Sequence, residues 1–170
     1  MNSDKADYAK KLEQAKNISE IFKLVKTVVR DLIGKERPGL MIGLSELGGR
    51  PGMFIGAFYP VGSNLIVINT IPLAVIQNSR PELFKSYCFH VLLHEYLHTI
   101  GILDESYNRD VTTLISEKAF GENHPITLIA KDFNRVFPEI TYLTSQHRSS
   151  QDSRIRIVEN IDEESTRYIG

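Results

Sequence analysis

The sequence has no tryptophan, a single cysteine, and no surplus of either charge. One thiol cannot build an internal disulfide framework. Cys88 sits among Tyr87, Phe89 and Val91, which suits a buried, inert thiol rather than a nucleophile. Lys plus Arg number 20 and Asp plus Glu 21, a formal charge of −1. That balance lacks the basic excess which nucleic acid or an anionic membrane selects, so neither is an expected partner. Long apolar runs are missing too, and none approaches the ~20 residues that span a bilayer. The stretch Met1 to Lys11 is polar and charged, without the apolar segment of a signal peptide. A cytoplasmic location is therefore the expectation. What is present is an ordinary apolar content, 42% of 170 residues, enough for one domain with a real core. We expect that domain over residues 1–143 and a polar, flexible C-terminal tail over 144–170.

Apolar periodicity divides the domain. Tyr8, Leu12, Ala15, Ile18, Phe22, Val25, Val29 and Leu32 recur every three or four residues and make one helical stripe. Asn17 or Ser19 can split it by capping, and Gly34 with Pro38 ends it. Three strands are expected at Leu40–Leu44, Met53–Tyr59 and Asn64–Thr70, joined by the turn residues 48–52 and 60–63. Connections this short favour antiparallel hairpins. A long helix is expected from Pro81 to Ile100, with Ser79 as N-cap and Gly101 as its stop. Another covers Glu105 to Phe120, opened by Asp104 and closed before Gly121. A last one runs from Pro125 to Phe137. The overall class is α+β.

Within the second of these helices stands His94-Glu95-Tyr96-Leu97-His98. Histidines four apart on a helix lie on one face, one turn apart, and can hold one metal ion. Glu95 follows the first histidine, where its carboxylate can reach a water on that metal. Zinc lowers the pKa of such a water and polarises a scissile carbonyl, while the glutamate serves as general base. Shuffling ordinary residue usage would produce this pattern in roughly one chain in a hundred. It also falls inside an expected helix with apolar flanks, the context the chemistry requires.

The stretch from His94 to Asp104 resembles the active-site signature of zincin metallopeptidases. More narrowly, His-Glu-x-x-His-x-x-Gly-x-x-Asp is similar to the aspartate version of the metzincin consensus. That resemblance implies a zincin-like fold: an N-terminal helix, a small three-stranded sheet, a central zinc-binding helix and further helices. It implies His94, His98 and Asp104 as zinc ligands, Glu95 as the catalytic base and Gly101 as the turn. Metzincins carry a methionine after the zinc helix, whereas Met1, Met41 and Met53 all precede it. The chain also looks like the archaeal minimal single-domain gluzincins, whose third ligand comes from the next helix. Glu117 would then serve, and His124 and Glu105 are further options.

His90 extends the histidine ladder by one turn and suits the core or a supporting role. Tyr96 points off the ligand face. Tyr107 could donate to a developing oxyanion. The expected function is zinc-dependent hydrolysis of peptide bonds, with a peptide or protein as substrate. The rivals are a zinc-dependent endoribonuclease-like hydrolase and a non-catalytic metal- or peptide-binding module. Asn64–Thr70 reads as an edge strand over the cleft, to which an extended substrate would add. The alternating Arg154-Ile155-Arg156-Ile157-Val158 needs a sheet edge as well, and could mask the cleft by taking that same edge.

Overall fold

A computed structural model of the chain describes residues 2–47, 55–140 and 154–158. Helix α1 spans Asn2–Gln14 and α2 spans Ile18–Ile33. The single apolar stripe breaks at Asn17, whose side chain accepts from the Glu20 N–H at 2.9 Å. Gly34 closes α2 at φ 77°, a left-handed conformation that suits glycine. Strand β1 is Met41–Ser45, β2 Ala57–Phe58 and β3 Leu65–Asn69. Of the expected strand Met53–Tyr59, residues 53 and 54 lie outside the described residues.

The sheet order is β2-β3-β1-β4, with β4 formed by Arg156–Ile157. This corrects two expectations. First, only β2 and β3 form an antiparallel neighbour pair in sequence; β1 and β3 are parallel, with Gly43 opposite Val67. Second, Leu65–Asn69 is an interior strand, not the edge. Its residues are apolar in succession rather than alternately, the pattern of a strand covered on both sides. The edge beside the candidate site is β2. The fourth strand pairs antiparallel with β1 on the opposite edge, and the Val158 N–H donates to the Ile42 carbonyl at 2.8 Å. The C-terminal strand thus takes a sheet edge as expected, but the one away from the cleft. The remainder of 144–170 is outside the described residues.

After β3 the chain enters a helix that periodicity did not suggest, α3 at Thr70–Ser79. Its run of Ile, Leu, Val and Ile hides a helix start that one side chain makes: Asn69 accepts from the Ile71 N–H. Pro72 sits in the first turn, where its missing N–H forfeits nothing. The Pro81–Ile100 helix is divided into a 3₁₀ turn at Pro81–Leu83 and α4 at Phe84–Thr99. Ser79 does not cap it; its hydroxyl donates back to Val75. Helix α5 runs over the expected Glu105–Phe120, with Asp104 as N-cap. The helix expected over 125–137 breaks at Asp132 into α6, Pro125–Lys131, and α7, Phe133–Val136, because Asp132 caps the second piece.

Helix α4 is the axis of the molecule. Tyr87, Cys88, Phe89, Leu92, Leu93, Tyr96 and Leu97 are all fully buried on it, so its apolar residues face every direction. It packs against α2, α5, α6, β2 and β3. Phe22 of α2 meets Tyr96 edge-on at 5.7 Å, and Phe120 of α5 meets Phe89 at 5.0 Å. Truncating a fully buried ring such as Phe22 to alanine would cost about 3–5 kcal/mol. No helix among the described residues is long and apolar enough to cross a membrane.

Candidate metal centre

The last two turns of α4 carry His94, Glu95 and His98. Immediately after them the chain reverses. Gly101, at φ 103°, lets the Gly101 N–H reach the His98 carbonyl and the Ile102 N–H reach the Leu97 carbonyl. A residue with a Cβ is strained at that φ. The reversal delivers the start of α5 to the two imidazoles.

The carboxylate that arrives there is Glu105. Its Oε2 lies 3.2 Å from His94 Nε2 and its Oε1 lies 2.8 Å from His98 Nε2. The imidazole rings stand edge-to-face, 4.8 Å between centroids. One ligand atom from each of the three residues can be chosen so that all lie within 4.8 Å of one another. A four-coordinate ion with bonds of about 2.0–2.2 Å spaces its ligands about 3.3 Å apart, which the two imidazole–carboxylate separations of 3.2 and 2.8 Å approach.

The tautomer of His98 adds a second sign of fit. Its Nδ1 is 2.7 Å from the Ile102 carbonyl oxygen, a contact that only an N–H···O bond can make. The Nδ1 proton is thereby assigned, and Nε2 turns a lone pair towards Glu105 Oε1. Two electron pairs at that separation need a cation shared between them, either a proton or a metal. The donor set of two imidazoles and a carboxylate suits a divalent ion that keeps an open position.

Asp104 is placed differently. It is exposed, and its Oδ1 accepts from the Tyr107 N–H at 2.7 Å as the cap of α5. Glu117 lies three turns along α5 and pairs with Lys131 at 2.8 Å. His124 caps α6 through Nδ1 and stacks against Phe120. Tyr107 is exposed, and Tyr96 is buried with its hydroxyl accepting from the Arg37 N–H. His90 packs beside Phe133 with its Nδ1 buried and unpartnered; burial pushes it down to about 3, and His94 adds to the effect. Burial thus favours its neutral form. Cys88 is buried and its thiol is pushed up to about 12 by desolvation, an inert state.

Glu95 is 7% exposed, and its carboxyl is pushed up to about 8, first by burial and then by the neighbouring Glu105 charge. The Tyr59 backbone N–H bonds it and opposes that rise. Burial lowers His94, while the Glu105 carboxylate pulls it back up. Glu95, His98 and Glu105 open into a cleft of about 240 Å³ whose other walls are Ala57 and Phe58 of the β2 edge, Tyr59 just after it, Val61 and Leu103.

Two supports were not singled out by sequence reasoning. Arg37 donates to the Tyr59 hydroxyl at 2.6 Å, the Ser63 carbonyl at 2.6 Å and the Thr99 carbonyl at 3.0 Å, tying the β2–β3 turn to the end of α4. Asn108 is fully buried beneath the two histidines. A signal for the second existed: Asn108, Thr112, Ile115, Ser116 and Ala119 form the buried stripe of α5, and polar residues on such a stripe ask for partners. The chain matches no protein-family model, no curated protein and no solved structure.

Proposed function

We propose that this chain is a zinc-dependent peptidase whose metal is held by His94, His98 and Glu105, with Glu95 as general base. The observation that carries the reading is the convergence of those three donors, two of which, His98 and Glu105, line a cleft together with Glu95. A zinc ion bound there would polarise a substrate carbonyl and acidify a water. The protein's own groups do the rest. Glu95, beside the histidines, takes the proton of the attacking water and returns it to the leaving nitrogen. In the metal-free protein burial and the Glu105 charge favour its protonated form, and a divalent cation bound beside it would favour the ionised form that accepts a proton.

Substrate would bind as an added strand. Gly56 directs its carbonyl to the Asn69 N–H of β3, and the Tyr59 N–H points the other way, to Glu95. Strand alternation then turns the Ala57 peptide groups outward to the cleft, where an extended chain can pair with them. Val61 and Leu103, 74% and 53% exposed, offer apolar contacts at the rim.

The test is cleavage of casein and of fluorogenic peptides by zinc-loaded protein, by chelator-stripped protein and by Glu95→Gln, with RNA as a parallel substrate. Hydrolysis of peptide alone, lost on stripping and in Glu95→Gln, supports the reading. Turnover that survives both changes refutes it, and cleavage of RNA alone moves the protein to the nuclease class.

A further inference from the structure

Asn108 is buried and does not line the cleft, yet its contacts converge on the two histidines from behind. Its Nδ2 donates to the backbone carbonyl of His94 at 3.0 Å and to that of Ile102 at 3.3 Å, and lies 3.2 Å from His98 Nδ1 itself. Its Oδ1 accepts from the Thr112 hydroxyl at 3.1 Å. Ile102 is the residue whose carbonyl also receives the His98 Nδ1 proton. One carboxamide therefore grips the backbone of the first histidine and shares an acceptor with the second. It stands three residues after Glu105 on the same helix, close to one turn.

We propose that Asn108 is a positioning residue: it locks α5 to the end of α4, and so sets Glu105 against His94 and His98 and keeps His98 Nε2 turned to the metal. The inference rests on the metal-site reading given above. Its logic is geometric. Sliding or rotating α5 on α4 by a fraction of a turn would part Nδ2 from the His94 carbonyl on α4, and would carry the Glu105 carboxylate off the imidazoles. No other residue type of this size offers two N–H donors on one atom and an acceptor on the next. Aspartate keeps the shape but sets an oxygen against two carbonyls. A residue that merely filled this space would leave the geometry at the metal unchanged when replaced.

The experiment compares wild type, Asn108→Asp, Thr112→Val and a distant control on the same helix, Glu117→Gln. Zinc affinity is measured by chelator competition, and geometry by the visible absorption of cobalt bound in zinc's place. We expect Asn108→Asp to lose about 10–100-fold in zinc affinity, the usual effect of removing a group behind a ligand, and to shift the cobalt bands. Thr112→Val, which removes only the partner of Oδ1, should show a smaller loss and a smaller shift in the same direction. Glu117→Gln should match wild type. Wild-type affinity and spectrum in folded Asn108→Asp would overturn the inference; if that variant does not fold, the same result in Thr112→Val overturns it. A wild-type protein that binds neither zinc nor cobalt would instead remove the metal site, and the positioning role with it.

Discussion

Replacing Glu95 by glutamine should change how the metal-free protein responds to pH, and the size follows from burial. The carboxyl is 7% exposed and is held at about 8 against an ordinary 4.5. The folded state therefore binds this proton more tightly than the unfolded chain does. For an acid shifted upward, stability is fully present below the unfolded pKa of 4.5 and is lost as pH rises through 4.5 to about 8. At 1.36 kcal/mol per unit, the whole window is worth about 4–5 kcal/mol, and the portion between pH 6 and pH 9 about 2–3 kcal/mol. Glutamine keeps the shape and cannot ionise, so Glu95→Gln should lack that loss. The assay is urea unfolding of chelator-treated wild type and Glu95→Gln at pH 6, 7, 8 and 9. The difference between the two proteins cancels the shared titrations of His90 and His94. We expect the variant to gain steadily on wild type as pH rises, by 2–3 kcal/mol in all (about 1.4 kcal/mol per tenfold change in equilibrium constant). Zinc should flatten the wild-type curve, because a divalent cation beside the carboxylate favours its ionised form. Parallel pH profiles for the two metal-free proteins would refute the claim that Glu95 is buried beside a second carboxylate.

Three further outcomes are expected. Glu105→Ala should weaken zinc binding by about 100-fold or more, while Asp104→Ala should cost only its cap, about 1 kcal/mol of stability, and leave affinity within a few-fold; isothermal titration and thermal melts separate the two. Gly43→Ala would bring a Cβ to 2.5 Å from the Ile155 Cγ2, so the C-terminal strand should loosen from β1 and the Val158 amide should exchange faster, with Ile155→Ala in the same chain restoring protection. Truncation after Leu143 should leave zinc affinity, and the rate of the proposed peptidase, unchanged but lower Tm by a few degrees, for a loss of about 1–2 kcal/mol, because β4 sits on the edge away from the cleft.

What could be read from the sequence was what is local. The spacing of His94 and His98, the cap at Asp104 and the glycine turn at 101 depend on neighbours within a turn or two, and all three stand in the structure. Which carboxylate meets the histidines was not legible. Asp104 and Glu105 are adjacent, and about 100° of helical rotation decides between them. The Tyr107 N–H occupies Asp104, and α5 then starts with Glu105 facing α4. Strand order was hidden for a different reason: pairing of β1 with β3 spans the intervening β2 segment, and no short-range signal reports it. The unbroken apolar character of Leu65 to Ile68 was the available clue to an interior strand. Helix α3 was masked because its start lies in one side chain, Asn69, rather than in a periodic stripe. Asn108 carries no signal beyond its place on the buried stripe of α5, because its contacts come from a buried amide reaching two backbone carbonyls that only the tertiary fold brings to it.

The central claim is a metal held between α4 and α5. An anomalous difference map at the zinc edge, from crystals of the zinc-loaded full chain, tests it most directly. We expect one strong peak about 2.0–2.2 Å from His94 Nε2, His98 Nε2 and a Glu105 oxygen, open towards the cleft that Glu95 lines. A map without a peak there, or with zinc bound only elsewhere on the protein, would contradict it.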